Sequence, residues 1–101
     1  MNPVSCCDFE DFLRAIANAT RQQILHLLQG GEMSVSDLCA HFDQQQPTIS
    51  HHLTLLRQAN LVTTRHDGKW IYYQANQVCV TECCQEILTR FRVVPQTENK
   101  C

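Results

Sequence analysis

Apolar residues recur at helical spacing in five stretches of this chain, and at strand-like density in one. Phe9, Phe12, Leu13 and Ile16 share one side of a first helix. Ile24, Leu27 and Leu28 define a second; Thr20 with Gln23 predicts a capping box at its start, and Gly30–Gly31 predicts its end. Ser34 with Asp37 marks the start of a third, which carries Val35, Leu38, Cys39 and Phe42. After a short turn, "DQQQ", Pro47 suits the first turn of a fourth helix with Ile49, Leu53 and Leu56 on its inner side. Two helices so closely joined predict a helix-turn-helix. Beyond Asn60 the pattern changes. "LVTTRHDGKWIYYQ" is rich in β-branched and aromatic residues about a central Asp67-Gly68, which predicts a hairpin with a tight primed turn. A last helix is expected from Gln77 to Val94, stopped by Pro95. The order α-α-α-α-β-β-α is mainly helical with a β-hairpin wing: a winged helix-turn-helix.

The chain has 101 residues, the size of one domain, taken as 1–101 with residues 94–101 as a flexible tail. A domain this small buries only about two-thirds of its unfolded surface, so dimerisation would help it. No apolar run approaches membrane-spanning length. "MNPVSCCDFEDF" has neither the basic nor the apolar region of a secretion signal, so the expected location is the cytoplasm.

A net charge of -2 does not advertise a nucleic-acid binder, but its distribution does more. Asp8, Glu10 and Asp11 crowd the start. Between Gln44 and Ala75 stand three basic residues (Arg57, Arg65 and Lys69) against Asp67, a net +2, with His51, His52 and His66 as further donors. A basic middle in an acidic chain fits one face turned toward phosphate. On the fourth helix the outward side carries Thr48, Ser50, His51 and Thr54, with Gln46 at its start. These are short hydrogen-bonding side chains where a recognition helix meets base edges. Arg65, His66 and Lys69 near the hairpin tip suit phosphate or minor-groove contact. No nucleophile–base spacing, phosphate loop or catalytic motif is present, so an enzyme is not expected.

"ATRQQIL", "QQPTISHHLTLLRQANLV" and "DGKWIYY", in this order within Ala15 to Gln74, resemble the ArsR/SmtB family of bacterial repressors. The resemblance implies a homodimer paired through its first and last helices. It also implies an inverted-repeat operator and repression of a resistance operon, relieved by a metal or metalloid. Two departures stand out. Where the family often has a serine cap before the recognition helix, this chain has Gln45, a weaker cap. Where many members carry Cys-Val-Cys-Asp-Leu, this chain reads Ser34-Val35-Ser36-Asp37-Leu38, and serine is a poor soft-metal ligand. The family's zinc set on the last helix is also missing, since no histidine follows His66.

Thiol sensing then falls to the remaining cysteines: Cys6, Cys7, Cys39, Cys79, Cys83, Cys84 and Cys101. An odd count in a reducing compartment argues against a structural disulfide framework, and no C-x-x-C is present. Val80, Cys84, Ile87, Leu88 and Phe91 form one apolar stripe, making Cys84 a packed interface residue. Cys83 lies about 100° away, with Cys79, Glu86 and Arg90 on a flank expected to face solvent. Cys39 belongs to a core stripe. From Cys83 to Val94 a helix travels roughly 16 Å, and the tail from Pro95 to Cys101 spans up to about 23 Å, so Cys101 can return to Cys83. The expectation is a dithiol clamp of Cys83 and Cys101, with Cys84 or Cys79 as a third arm, binding trivalent arsenic or antimony. Two thiolates satisfy a methylated arsenical, and inorganic arsenite prefers three. The Cys6–Cys7 pair is the other candidate site. Two alternatives remain: a redox or persulfide sensor on the same fold, and a protein-interaction winged helix that does not touch DNA.

Overall fold

The computed structural model describes residues 8–91. Its elements are α1 (Phe9–Ile16), α2 (Ala19–Leu28), β1 (Met33–Ser34), α3 (Val35–Cys39), α4 (Gln46–Gln58), β2 (Val62–Asp67), β3 (Trp70–Ala75) and α5 (Gln77–Phe91). This is the expected winged helix-turn-helix with one addition. β1, two residues long, pairs antiparallel with Tyr72 and Tyr73 and makes a three-stranded sheet in the order β1-β3-β2. Two residues are too few to leave a periodic signal. No helix among the described residues is long and apolar enough to cross a membrane.

Local chemistry sets most boundaries. α2 is capped by Asn18, whose Oδ1 accepts from Arg21 N at 3.0 Å. The expected capping box at Thr20 and Gln23 is therefore not formed. Asn is as good a cap as Thr or better and stands two residues earlier, and the Thr20 hydroxyl instead accepts from Gln44 Nε2 at 2.9 Å. The Ser34–Asp37 box does form, with both reciprocal bonds. α4 begins after Gln45, which makes no side-chain cap, with Pro47 in its first turn.

α4 ends at a left-handed Asn60, φ 65°. Asn60 N donates to Arg57 O and Leu61 N to Leu56 O, the paired bonds of a Schellman ending, with Leu56 and Leu61 both buried beneath it. Asp67 pairs with Trp70, so the hairpin loop is Gly68–Lys69 rather than Asp67–Gly68. Its positive φ falls on Gly68, the first central position, where glycine carries no Cβ penalty.

The core gathers Ile24, Leu38, Ile49, Leu53, Leu56, Leu61 and Val62 from α2, α3, α4 and the start of β2. Phe12 and Ala15 bring α1 to it, and Cys79 and Cys83 bring α5. Burying Ile49, Leu53 and Leu56 fixes which side of α4 faces outward.

Candidate nucleic-acid interface

With its apolar side fixed, α4 exposes Gln46, Thr48, His51 and Thr54 and leaves Ser50 and His52 half-buried. The residues predicted to read DNA thus share the outer side of one helix. The Thr54 hydroxyl donates to Ser50 O at 3.1 Å, which leaves its oxygen to accept. Gln44 ties the turn before α4 to α2 through Thr20.

Sequence reasoning counted His52 among the donors of the basic middle but not among the residues that read DNA. Its Nδ1 lies 3.1 Å from Arg21 Nη1. Arg21 also donates from Nε to Ala15 O at 2.6 Å and from Nη2 to Arg14 O at 3.3 Å. These carbonyls lie in the last turn of α1, where backbone donors run short; Arg14 O also accepts from Ala17 N at 3.3 Å. One guanidinium therefore joins the ends of two helices to the recognition helix. Burial, then the positive charge of Arg21 and the neighbouring His51, hold the His52 imidazole below its usual pKa.

The wing differs from the expectation at Arg65. Its Nη2 and Nε donate to the two oxygens of Glu32 at 2.6 and 2.9 Å. Asp67 lies 3.8 Å from Nη1, and the guanidinium covers the Tyr72 ring at 4.8 Å. Gln74 donates to Glu32 as well. The hydrogen bonds from Arg65 and then Gln74 depress the Glu32 carboxyl to about 2, and the same bond raises Arg65 above its usual value. This planar fork is occupied, with its charge compensated. Lys69 and His66 remain exposed nearer the tip, beside an exposed Trp70. Glu32 carried no sequence signal, because it meets Arg65 only through the fold.

The cysteines of α5 are arranged the other way round from expectation. Cys79 and Cys83 are 1% and 3% exposed, while Cys84 is exposed. Cys83 does not face solvent, because its helical turn joins Cys79, Val80 and Ile87 in a seam against the core. Leu88, Phe91 and Val78 lie outside it, 55–66% exposed. Arg90 does not sit over Cys83 as a thiolate-stabilising charge. It pairs with Glu86 at 2.7 Å and lies 4.4 Å above the Phe9 ring. Cys79 and Cys83 are each disulfide-bonded, and Cys39 and Cys84 are free thiols. Cys6, Cys7 and Cys101 lie outside the described residues, as does the expected stretch of α5 beyond Phe91. Among the described residues no group of three or more His, Cys, Asp or Glu could hold a metal ion.

A helix-turn-helix with an outward polar recognition helix, followed by a hairpin, defines a winged-helix DNA-binding domain. Residues 18–64 match the family described as "Bacterial regulatory protein, arsR family". The chain is 33% identical over 94 residues to the arsenical resistance operon repressor of Staphylococcus aureus, covering 93% of this chain and 86% of that one. It is 44% identical over 63 residues to the transcriptional repressor SdpR of Bacillus subtilis, covering 62% and 70%. It superposes on the crystal structure of a possible transcriptional regulator for arsenical resistance with a TM-score of 0.74 at 34% identity, covering 83% and 86%. The chain belongs to the ArsR family: it is a DNA-binding transcriptional repressor and not an enzyme.

Proposed function

We propose that the chain acts as a homodimer on an inverted-repeat operator of a resistance operon. It leaves that operator when trivalent arsenic or antimony, inorganic or methylated, is captured by Cys83 and Cys101, with Cys84 as an optional third arm. The supporting observation is the two-sided character of α5. Cys83 lies on its core side, Cys84 is an exposed thiol one residue on, and Leu88 and Phe91 beside them are apolar and uncovered. Covering the exposed side with a second copy's α1 and α5 would bury it and bring the Cys84 thiol to an interface, one residue from Cys83. A ligand drawing Cys83 toward the tail would then shift the helix that sets the spacing of the two recognition helices. The name of the Staphylococcus aureus relative supports the class of inducer. The soft donors that many family members carry at the start of α3 are replaced by Ser34 and Ser36, and Ser34 serves as the helix cap.

The inducer must bind the DNA-free form more tightly, since equal affinity for both forms shifts nothing. A coupling of about 1–3 kcal/mol is typical. The disulfide state of Cys79 and Cys83 favours a second reading, a thiol redox or persulfide sensor on the same fold, because Cys83 can ligate arsenic only once reduced. Promoter release distinguishes the two. Fully reduced protein on its promoter duplex is challenged with arsenite, methylarsenite, antimonite, cadmium, zinc and peroxide. Release by arsenicals in excess reductant supports metalloid sensing, and release by peroxide alone supports the redox reading.

A further inference from the structure

Arginine has donors only. At 3.1 Å from Arg21 Nη1, His52 Nδ1 must therefore be the acceptor. A neutral imidazole that accepts at Nδ1 carries its proton on Nε2. Arg21 is not free to turn away, because its other nitrogens hold the carbonyls of Arg14 and Ala15. The result is a histidine with a fixed tautomer on the recognition helix. Its Nε2–H makes no hydrogen bond to a described residue.

The position of His52 indicates what this donor meets. Thr48 and His51 are exposed, whereas His52 is half-buried and turned toward α2, about 100° around the helix from His51. When Thr48 and His51 lie over base edges, a residue on that flank lies against the groove wall, where the phosphates run. We infer that His52 contacts DNA as a neutral donor, its Nε2–H bonding a backbone phosphate oxygen, and that Arg21 is the positioning residue that fixes its tautomer. The lowered pKa of His52 agrees with this. Such a contact has an unusual signature. It adds a hydrogen bond to a charged acceptor but neutralises no phosphate, so it strengthens binding without releasing counterions.

The inference rests on α4 being the helix that faces DNA. The test uses the full-length protein and an operator duplex that the wild-type protein has selected from random sequence. His52→Asn keeps an acceptor for Arg21 and has no atom at the Nε2 position. His52→Gln carries an amide N–H near that position. Affinity across a salt series should fall about tenfold per half-site for His52→Asn, with the slope of log K against log salt unchanged, and His52→Gln should recover most of it. Long-range 1H–15N spectra of the DNA-free protein should show His52 in a single Nε2–H tautomer, and a mixture in Arg21→Lys. Three results would overturn the proposal: wild-type affinity in His52→Asn, a slope reduced by about 0.9 per site as for a cationic contact, or an Nδ1–H tautomer. A Thr48→Ala/Ser50→Ala/His51→Ala variant measured in parallel separates the two failures. If it binds like wild type, α4 does not read DNA and the His52 contact falls with it. If it loses specificity while His52→Asn keeps wild-type affinity, only the His52 contact is wrong.

Discussion

Glu32 and Arg65 are joined by two hydrogen bonds of 2.6 and 2.9 Å that fasten the wing to the loop before α3. Arg65 leans on Tyr72, and Gln74 donates to the same carboxylate, so the outer face of the hairpin is one connected network. The pair adds to the β1–β3 ladder in holding the wing to the helix-turn-helix, and it compensates a cation that would otherwise be offered to phosphate.

Arg65 and Lys69 should consequently differ in DNA binding. Each phosphate neutralised contributes about 0.9 to the salt slope. Lys69→Ala should lower the slope by about that amount per protomer, while Arg65→Ala should leave it near wild type. Glu32→Gln, which releases Arg65, should steepen it. Fluorescence anisotropy of a labelled operator duplex across a salt series measures all three, and equal losses for the two alanine variants would show that Arg65 leaves Glu32 when DNA binds.

The same carboxylate gives the wing a defined acid response. Its pKa in the folded protein is depressed from 4.5 to about 2, so the ionised form is the one that folding favours. The contribution is fully present above about pH 4.5 and is lost as the pH falls through about 2. Wild type should exceed Glu32→Gln in stability by a constant margin above pH 4.5, and that margin should close on acidification. Urea unfolding at several pH values would show it, and a margin that widens with acid would contradict the assignment.

The ending of α4 should be sensitive to backbone conformation. Asn60 sits at φ 65°, where a Cβ is disfavoured. Asn60→Ala and Asn60→Gly lose the same side-chain hydrogen bond to Cys79 Sγ, so comparing them isolates the backbone. The alanine variant should be less stable by about 1 kcal/mol, read from chemical denaturation midpoints at equal m-value.

For the inducer, Cys83→Ser and Cys101→Ser should each still bind operator yet fail to release it with arsenicals under reducing conditions. Cys39→Ser should respond normally, since that thiol lies half-buried on α3 and not on α5. Loss of the arsenite response in Cys84→Ser, with the methylarsenite response retained, would indicate a two-thiol site with an optional third arm. Normal responses in both Cys83→Ser and Cys101→Ser would move the site to Cys6 and Cys7.

The element order and the outward side of α4 follow from signals that act within a turn or two of chain: Pro47 in a first helical turn, the Ser34–Asp37 box, glycine at the hairpin, and apolar residues spaced to one side of each helix. Such signals are legible because each is completed by near neighbours. The family resemblance lies in the same stretches. Tertiary structure decided the rest. Glu32 with Arg65 and Arg21 with His52 stand more than thirty positions apart, and nothing local distinguishes a paired arginine from one available to phosphate. On α5 the difficulty is different. Periodicity read one stripe, Val80, Cys84, Ile87, Leu88 and Phe91, and so put Cys84 inward and Cys83 toward solvent, but the helix has apolar residues on two sides. Packing against the core, through Cys79 and Ile87, turned Cys83 in and left Cys84 exposed. A helix with one apolar stripe encodes its own orientation; a helix with two acquires it only from its neighbours.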